Sequence, residues 1–265
     1  MYPALKIGIK EKPDMDLELD GKIAVVTGAS VGIGRGIAKT LSAEGAQTVV
    51  IARRGNLLAT LQAEIEKAGG RRPLAIEADL YNRDAPDRIR DQVLKQFAHI
   101  DILINNAGGS RPLPADAADD AWDEAFAINF TAVRKMTQAF LPTMQQRKWG
   151  RIVNITGSLE PRGVNAANAA KAGVHAWAKG LSRDVAKYGI TVNCLGPGRI
   201  HSEQIDTRVN PTPENQAEFA RANIPLGYFG EPGDMACLVA FLCSPKARYV
   251  TGQRVYVDGG LHRAL

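Results

Sequence analysis

Three glycines in Thr27-Gly28-Ala29-Ser30-Val31-Gly32-Ile33-Gly34 follow the apolar run at 23–27 and open an amphipathic stretch. At a strand-to-helix turn, such glycines let backbone N–H groups approach a pyrophosphate, and the helix N-terminus offers it partial positive charge. The implied chemistry is dinucleotide binding, with Gly28, Ser30, Gly32, Ile33 and Gly34 at the phosphates, provided that a βαβ unit surrounds the turn. Nineteen to twenty residues after Gly34 stand Arg53 and Arg54. A unit that selects NAD carries an acid there for the ribose 2′-OH. Two guanidinium groups instead suit a 2′-phosphate, whose oxygens arginine binds bidentately. NADP is therefore expected ahead of NAD, with Arg35 as a further member of the patch.

Short, β-branched apolar runs at 23–27, 48–52, 73–77, 101–105, 151–155, 191–195 and 254–258 must supply the frame. They are apolar at nearly every position, as strands buried on both faces of a parallel sheet are. Between them lie helical stretches near 33–44, 55–68, 84–97, 119–147, 165–188 and 231–243. This alternation predicts an α/β fold: a single Rossmann-type domain, a doubly wound parallel sheet with helices on both faces. Residues 1–20 read as an N-terminal extension and 21–265 as the domain, with an irregular, Gly- and Pro-rich region at 196–230 as a substrate lid.

Composition narrows the partners. The 265 residues are 45% hydrophobic and 23% charged, with a formal net charge of +5. Lys and Arg are interleaved with acids, so a small-molecule substrate is expected, and neither nucleic acid nor membrane. The three cysteines, Cys194, Cys237 and Cys243, have no metal-site or redox spacing, so no metal is expected and a reducing, cytoplasmic setting is. No run approaches the length of a membrane span.

The spacing TGxxxGxG resembles the cofactor fingerprint of the short-chain dehydrogenase/reductase family, and further marks follow in order. Asp79-Leu80 follows the third strand, Asn105-Asn106-Ala107-Gly108 the fourth, and Asn129 lies on the long helix. Lys171 stands in Ala169-Ala170-Lys171-Ala172-Gly173, then come Pro197-Gly198 with Ser202 four residues on, Thr251-Gly252 and Asp258-Gly259-Gly260. The chain is similar to the 3-oxoacyl-reductase-like members of that family. The resemblance implies an NADP-dependent oxidoreductase acting on a carbonyl/alcohol pair. It also implies that Asp79 and Leu80 meet the adenine, Asn106, Ala107 and Gly108 line the cofactor, Pro197, Gly198 and Ile200 meet the nicotinamide, and Lys171 holds the ribose.

One part of the family pattern is broken. The resemblance calls for a Tyr four residues before the Lys, but Ala167 stands there, and no Tyr occurs between 82 and 187. The family's Ser falls on Gly157, with Ser158 one place on, and the following loop is short. Three readings stay open: an engineered Tyr→Ala change, divergence with a non-standard proton donor, or a repurposed protein such as a lyase, hydratase or cofactor-binding module. Under the second, Asn129, Lys171, Ser158 and His201 are the catalytic candidates, with Glu160 and Arg162 on the same loop as Ser158. His201 is included because an imidazole titrates near neutral pH. Arg111, Arg162 and Arg199 on strand-end loops point to an anionic substrate. The two long helices, 119–147 with Trp122, Phe126, Phe130, Met136, Phe140 and Met144 and the Ala-rich 165–188 with Trp177 and Leu181, imply by the resemblance a homotetramer or homodimer.

Overall fold

The computed structural model describes residues 15–158, 160 and 163–263. Seven strands form one sheet: β1 (Ile23–Thr27), β2 (Gln47–Ala52), β3 (Leu74–Glu77), β4 (Ile102–Asn105), β5 (Gly150–Ile155), β6 (Ile190–Pro197) and β7 (Arg254–Val257). Their order is β3-β2-β1-β4-β5-β6-β7, every pairing parallel. The order reverses between β1 and β4, and a crevice opens at the carboxyl ends of strands at such a switch point.

Among the described residues there are eight α-helices: α1 (Gly32–Ala43), α2 (Gly55–Lys67), α3 (Ala85–Phe97), α4 (Asp119–Phe126), α5 (Ala132–Arg147), α6 (Ala166–Val185), α7 (Pro213–Asn223), which packs in a separate small cluster with Ile224 and Phe229, and α8 (Pro232–Cys243). Side chains alternate across a strand. Ala24 and Val26 of β1 therefore enter one core with Ile37 and Leu41 of α1, Leu58 and Leu61 of α2, and Met235 and Val239 of α8. Ile23 and Val25 enter the other, with Ile89 and Val93 of α3, Met136 and Phe140 of α5, and Val174 of α6. Two buried faces explain why the strands lack a polar alternation.

Three details differ from the sequence expectations. Leu17 and Leu19 pack on the first core, Leu19 being 1% exposed, so the end of the 1–20 extension belongs to the domain. Residues 1–14 lie outside the described residues. The helix expected at 119–147 is interrupted by a π-helical segment, Ala127–Thr131, between α4 and α5. The region 196–230 is not irregular throughout. β6 runs to Pro197, a π turn covers Ile205–Val209, and α7 follows with Thr212 Oγ1 accepting from Asn215 N–H at 3.2 Å. Among the described residues no helix is long and apolar enough to cross a membrane.

Candidate functional site

A cleft of about 1240 Å³ lies over the carboxyl ends of the strands. Its floor begins at the glycine turn. Gly28 and Gly32 have φ of +66° and +57°, in the left-handed region that glycine enters without strain. A Cβ on Gly28 would sit 2.9 Å from Ala107 Cα, and one on Gly34 would sit 2.4 Å from the Gly28 carbonyl oxygen. Asn106 fastens the turn to β4: its Nδ2 donates to the carbonyls of Thr27 (3.0 Å) and Gly28 (3.1 Å). Thr27 Oγ1 accepts from the N–H of Asn106 and of Ala107, each at 3.0 Å. Val31, the cap of α1, makes no side-chain cap bond, and no acid stands in the first turn of α1. The first N–H groups of that helix, which carry roughly +0.5 elementary charge, therefore face the cleft without a carboxylate competing for them. That cradle fits a pyrophosphate.

Beside it, Arg53, Arg54, Asp79 and Leu80 line the cleft. Asp79 is held by its own turn, Oδ1 accepting from Tyr81 N–H at 3.0 Å. Arg53 is exposed, and its side chain makes no hydrogen bond or ion pair among the described residues. Arg54 is clasped by the lid: Nη1 and Nη2 donate to Glu203 Oε1 and Oε2 at 3.0 and 2.7 Å. That pairing holds the Glu203 carboxyl below its ordinary pKa, by hydrogen bonding first and charge second. Arg35 does not join the patch. Its guanidinium donates to the carbonyls of Ser30 (3.1 Å) and Leu57 (3.0 Å) and pairs with Glu64 at 2.8 Å, tying α1 to α2.

At the other end stand Asn129 and Lys171. Asn129, 1% exposed, lies inside the π-helical segment. Its Nδ2 donates to the Ala125 carbonyl (2.9 Å) and its Oδ1 accepts from Gly109 N–H (3.1 Å). The amide thus ties the preceding helical turn to the loop after β4, and π segments of this kind are frequent at functional sites. Gly108 passes between the two groups: a Cβ there would meet Asn129 Oδ1 at 2.7 Å and Lys171 Cε at 3.9 Å. Lys171 Nζ donates to the Thr156 carbonyl at 3.1 Å. Burial lowers its pKa to about 8, because a desolvated ammonium is disfavoured.

Ala167, 1% exposed, sits in the first turn of α6 at the cleft wall. Asn165 caps that helix, its Oδ1 accepting from the N–H of Ala167 (3.0 Å) and Asn168 (3.3 Å), while its Nδ2 donates to Ser110 Oγ (2.8 Å). Asn165 and Asn168 both line the cleft and were not singled out from the sequence, although Asn165 ahead of an Ala-rich run is a cap signal. A Cβ on Gly157 would find only ordinary contacts, with Lys171 Cδ at 3.5 Å and Asn168 Oδ1 at 3.8 Å. Ser158 lines the cleft, and its Oγ accepts from Glu160 N–H at 3.0 Å.

Most expected site residues thus come together. Gly28, Ser30, Gly32, Ile33, Arg53, Arg54, Asp79, Leu80, Asn106, Ala107, Gly108, Ser158, Lys171, Pro197, Gly198 and Ile200 all line one cleft. Gly34 and Asn129 stand just behind its wall and shape it, as the contacts above show. His201 is placed elsewhere, which corrects its expected position. Its Nδ1 meets Asp206 Oδ1 at 2.8 Å and its ring lies 5.6 Å from that of Phe229, inside the lid and off the cleft wall. Glu160 lines the cleft and faces His262 Nδ1 at 3.4 Å, whereas Arg162 lies outside the described residues. Arg111 and Arg199 line the cleft, Arg111 bonded to Glu124 at 3.1 Å and Arg199 stacked 4.5 Å above Phe219.

Known proteins resemble this chain in sequence and in fold. The sequence model of the family described as Enoyl-(Acyl carrier protein) reductase matches residues 28–262. Nodulation protein G of Rhizobium sp. (strain N33) is 38% identical over 92% of this chain and 98% of its own. The 3-oxoacyl-(acyl carrier protein) reductase FabG of Haemophilus influenzae is 36% identical over 92% of this chain and 99% of its own. L-sorbose reductase from Gluconobacter frateurii, solved with NADPH and L-sorbose, superposes with a TM-score of 0.90 at 29% identity, covering 95% of this chain and 100% of that one. A putative NAD(P)-dependent gluconate 5-dehydrogenase from Beutenbergia cavernae, solved with bound NADP, gives 0.86 at 32% identity, covering 93% and 98%. A family model matched over residues 28–262 and relatives above 30% identity over nearly their full length together place this chain in the short-chain dehydrogenase/reductase family.

Proposed function

We propose that this chain is an NADP(H)-dependent oxidoreductase that interconverts a carbonyl and an alcohol on an anionic substrate of the 3-oxoacyl kind. The observation that carries the cofactor reading is the pair Arg53 and Arg54 at the end of β2, where NAD-selective folds keep an acid. The L-sorbose reductase solved with NADPH and the putative gluconate 5-dehydrogenase solved with NADP support it. Bound NADPH would supply a hydride. The chain's own residues do the rest. The glycine turn and the start of α1 hold the pyrophosphate, and Arg53 and Arg54 hold the 2′-phosphate.

Lys171 sits beside Gly108 and Asn129, within reach of a ribose. Ala167 has no proton to give, and His201 faces the lid. The proton donor is therefore assigned to the Lys171 ammonium, acting through Ser158 or a water held by Asn129. An amine with a pKa of about 8 exchanges a proton near neutral pH far more readily than an ordinary lysine. Arg111 and Arg199 on the cleft wall favour an anionic substrate by charge.

A second reading, a cofactor-binding protein without redox turnover, is favoured by Ala167 and Gly157 alone. Placing a tyrosine at the wall separates the two. If the site is built for carbonyl reduction, Ala167→Tyr raises NADPH-dependent reduction of a 3-oxoacyl thioester at least tenfold, followed by nicotinamide absorbance. Wild type and variant both inert across oxoacyl, sugar and steroid carbonyls, with NADPH bound, would establish the non-redox reading.

A further inference from the structure

The lid touches the nucleotide side of the cleft at two consecutive residues. A Cβ on Gly32 would lie 3.0 Å from Ser202 Cβ, so Ser202 sits on the phosphate turn. The next residue, Glu203, takes Arg54 in a two-oxygen, two-nitrogen clasp across 149 residues of sequence. Both side chains are about half exposed, at 43% and 52%, and both line the cleft. Arg208, on the same lid turn, adds a second positive charge near the Glu203 carboxylate. Arg35 is not available to Glu203, since its guanidinium is committed to Ser30, Leu57 and Glu64. The forked geometry around Arg54 is the one arginine also uses for phosphate oxygens.

We propose that Glu203 is an internal stand-in for the 2′-phosphate, so that this phosphate alone releases the lid from Arg54. The proposal rests on the NADP(H) reading above. Without nucleotide, the Arg54–Glu203 clasp keeps the lid segment over the phosphate turn. A dinucleotide with a 2′-phosphate competes for Arg54, expels the carboxylate by charge and frees the lid for substrate. One without that phosphate leaves the clasp in place. Cofactor choice and lid position then become one equilibrium, since a ligand shifts two states only by its differential affinity for them.

An exposed pair is worth about 0.2–1 kcal/mol, a factor of roughly 1.4 to 5 in affinity. The bidentate geometry places this one near the upper end. The test uses 2′,5′-ADP and 5′-ADP as probes with and without the phosphate, titrated calorimetrically into wild type and Glu203→Gln. The proposal expects Glu203→Gln to bind 2′,5′-ADP about threefold to fivefold tighter, with 5′-ADP unchanged. It also expects 2′,5′-ADP, and not 5′-ADP, to speed amide exchange across residues 201–210 of the wild type. Tighter or equal binding of both probes by the variant to the same degree, or equal lid exchange with both, would overturn it while leaving the cofactor reading intact. Wild type binding the two probes equally would overturn the cofactor reading and the clasp together.

Discussion

Lys171→Met tests whether burial tunes the group at the reacting end of the cleft. The wild-type lysine is partly buried on the cleft wall, and desolvation there lowers its pKa from 10.5 to about 8. One pKa unit corresponds to about 1.36 kcal/mol, so carrying the charge when folded costs roughly 3 kcal/mol below the folded value. The sign follows from proton counts. Between about 8 and 10.5 the unfolded chain holds the proton on this lysine more tightly than the folded one, so stability rises with pH across that window. Linkage then gives a gain of roughly 2.5 kcal/mol from this group between pH 7 and pH 10. Methionine has similar length and no charge, so the variant lacks this gain. It also loses the bond from Nζ to the Thr156 carbonyl, a loss of about 1–3 kcal/mol at every pH. Urea unfolding of both proteins without nucleotide, at pH 7 and pH 10, isolates the effect by difference. The variant should be close to or above wild-type stability at pH 7 and fall below it at pH 10. A wild-type-minus-variant difference that stays constant between the two pH values would refute the burial argument, and with it the assignment of Lys171 as the proton donor.

Gly34→Ala should abolish nucleotide binding, because its Cβ would fall 2.4 Å from both the Gly28 carbonyl oxygen and Asn106 Nδ2, neither of which can yield without opening the turn; a variant that binds NADPH within threefold of wild type would contradict that geometry. Association is expected through α4–α6, where Phe126 is 37% exposed and Phe130 meets Trp177 edge to face at 6.4 Å. Sedimentation at micromolar concentration should show a dimer or tetramer, and Phe126→Asp should shift it toward monomer; a wild-type monomer would remove the oligomer from the account.

The sheet was legible because parallel strands buried on both faces leave continuous apolar runs, and each of the seven runs became a strand within about two residues. The glycine turn was legible because only glycine fits at Gly28 and Gly34, so steric need is written directly into residue type. Helix α7 escaped notice although Thr212-Pro213-Glu214 is a sound start signal, because the surrounding Gly and Pro read as loop. The π segment at Asn129 has no sequence mark. The placement of His201 could not be read either: residue type supplies the pKa range, but the lid packing of Asp206 and Phe229 decides where the ring points. Arg54 was found from its position in sequence. Its partner Glu203 was not, since nothing local links residues 149 apart.

In the function proposed above, this cleft selects NADP(H) through Arg53 and Arg54 at the end of β2. Fluorescence titration of the purified protein with NADPH, run beside NADH, tests it most directly. Charge-assisted bonds to a phosphate contribute about 1.5–3 kcal/mol each, so NADPH should bind at least tenfold tighter than NADH, and Arg53→Glu should erase that preference without weakening NADH. Equal affinity for the two nucleotides, or saturable binding of neither, would contradict the account.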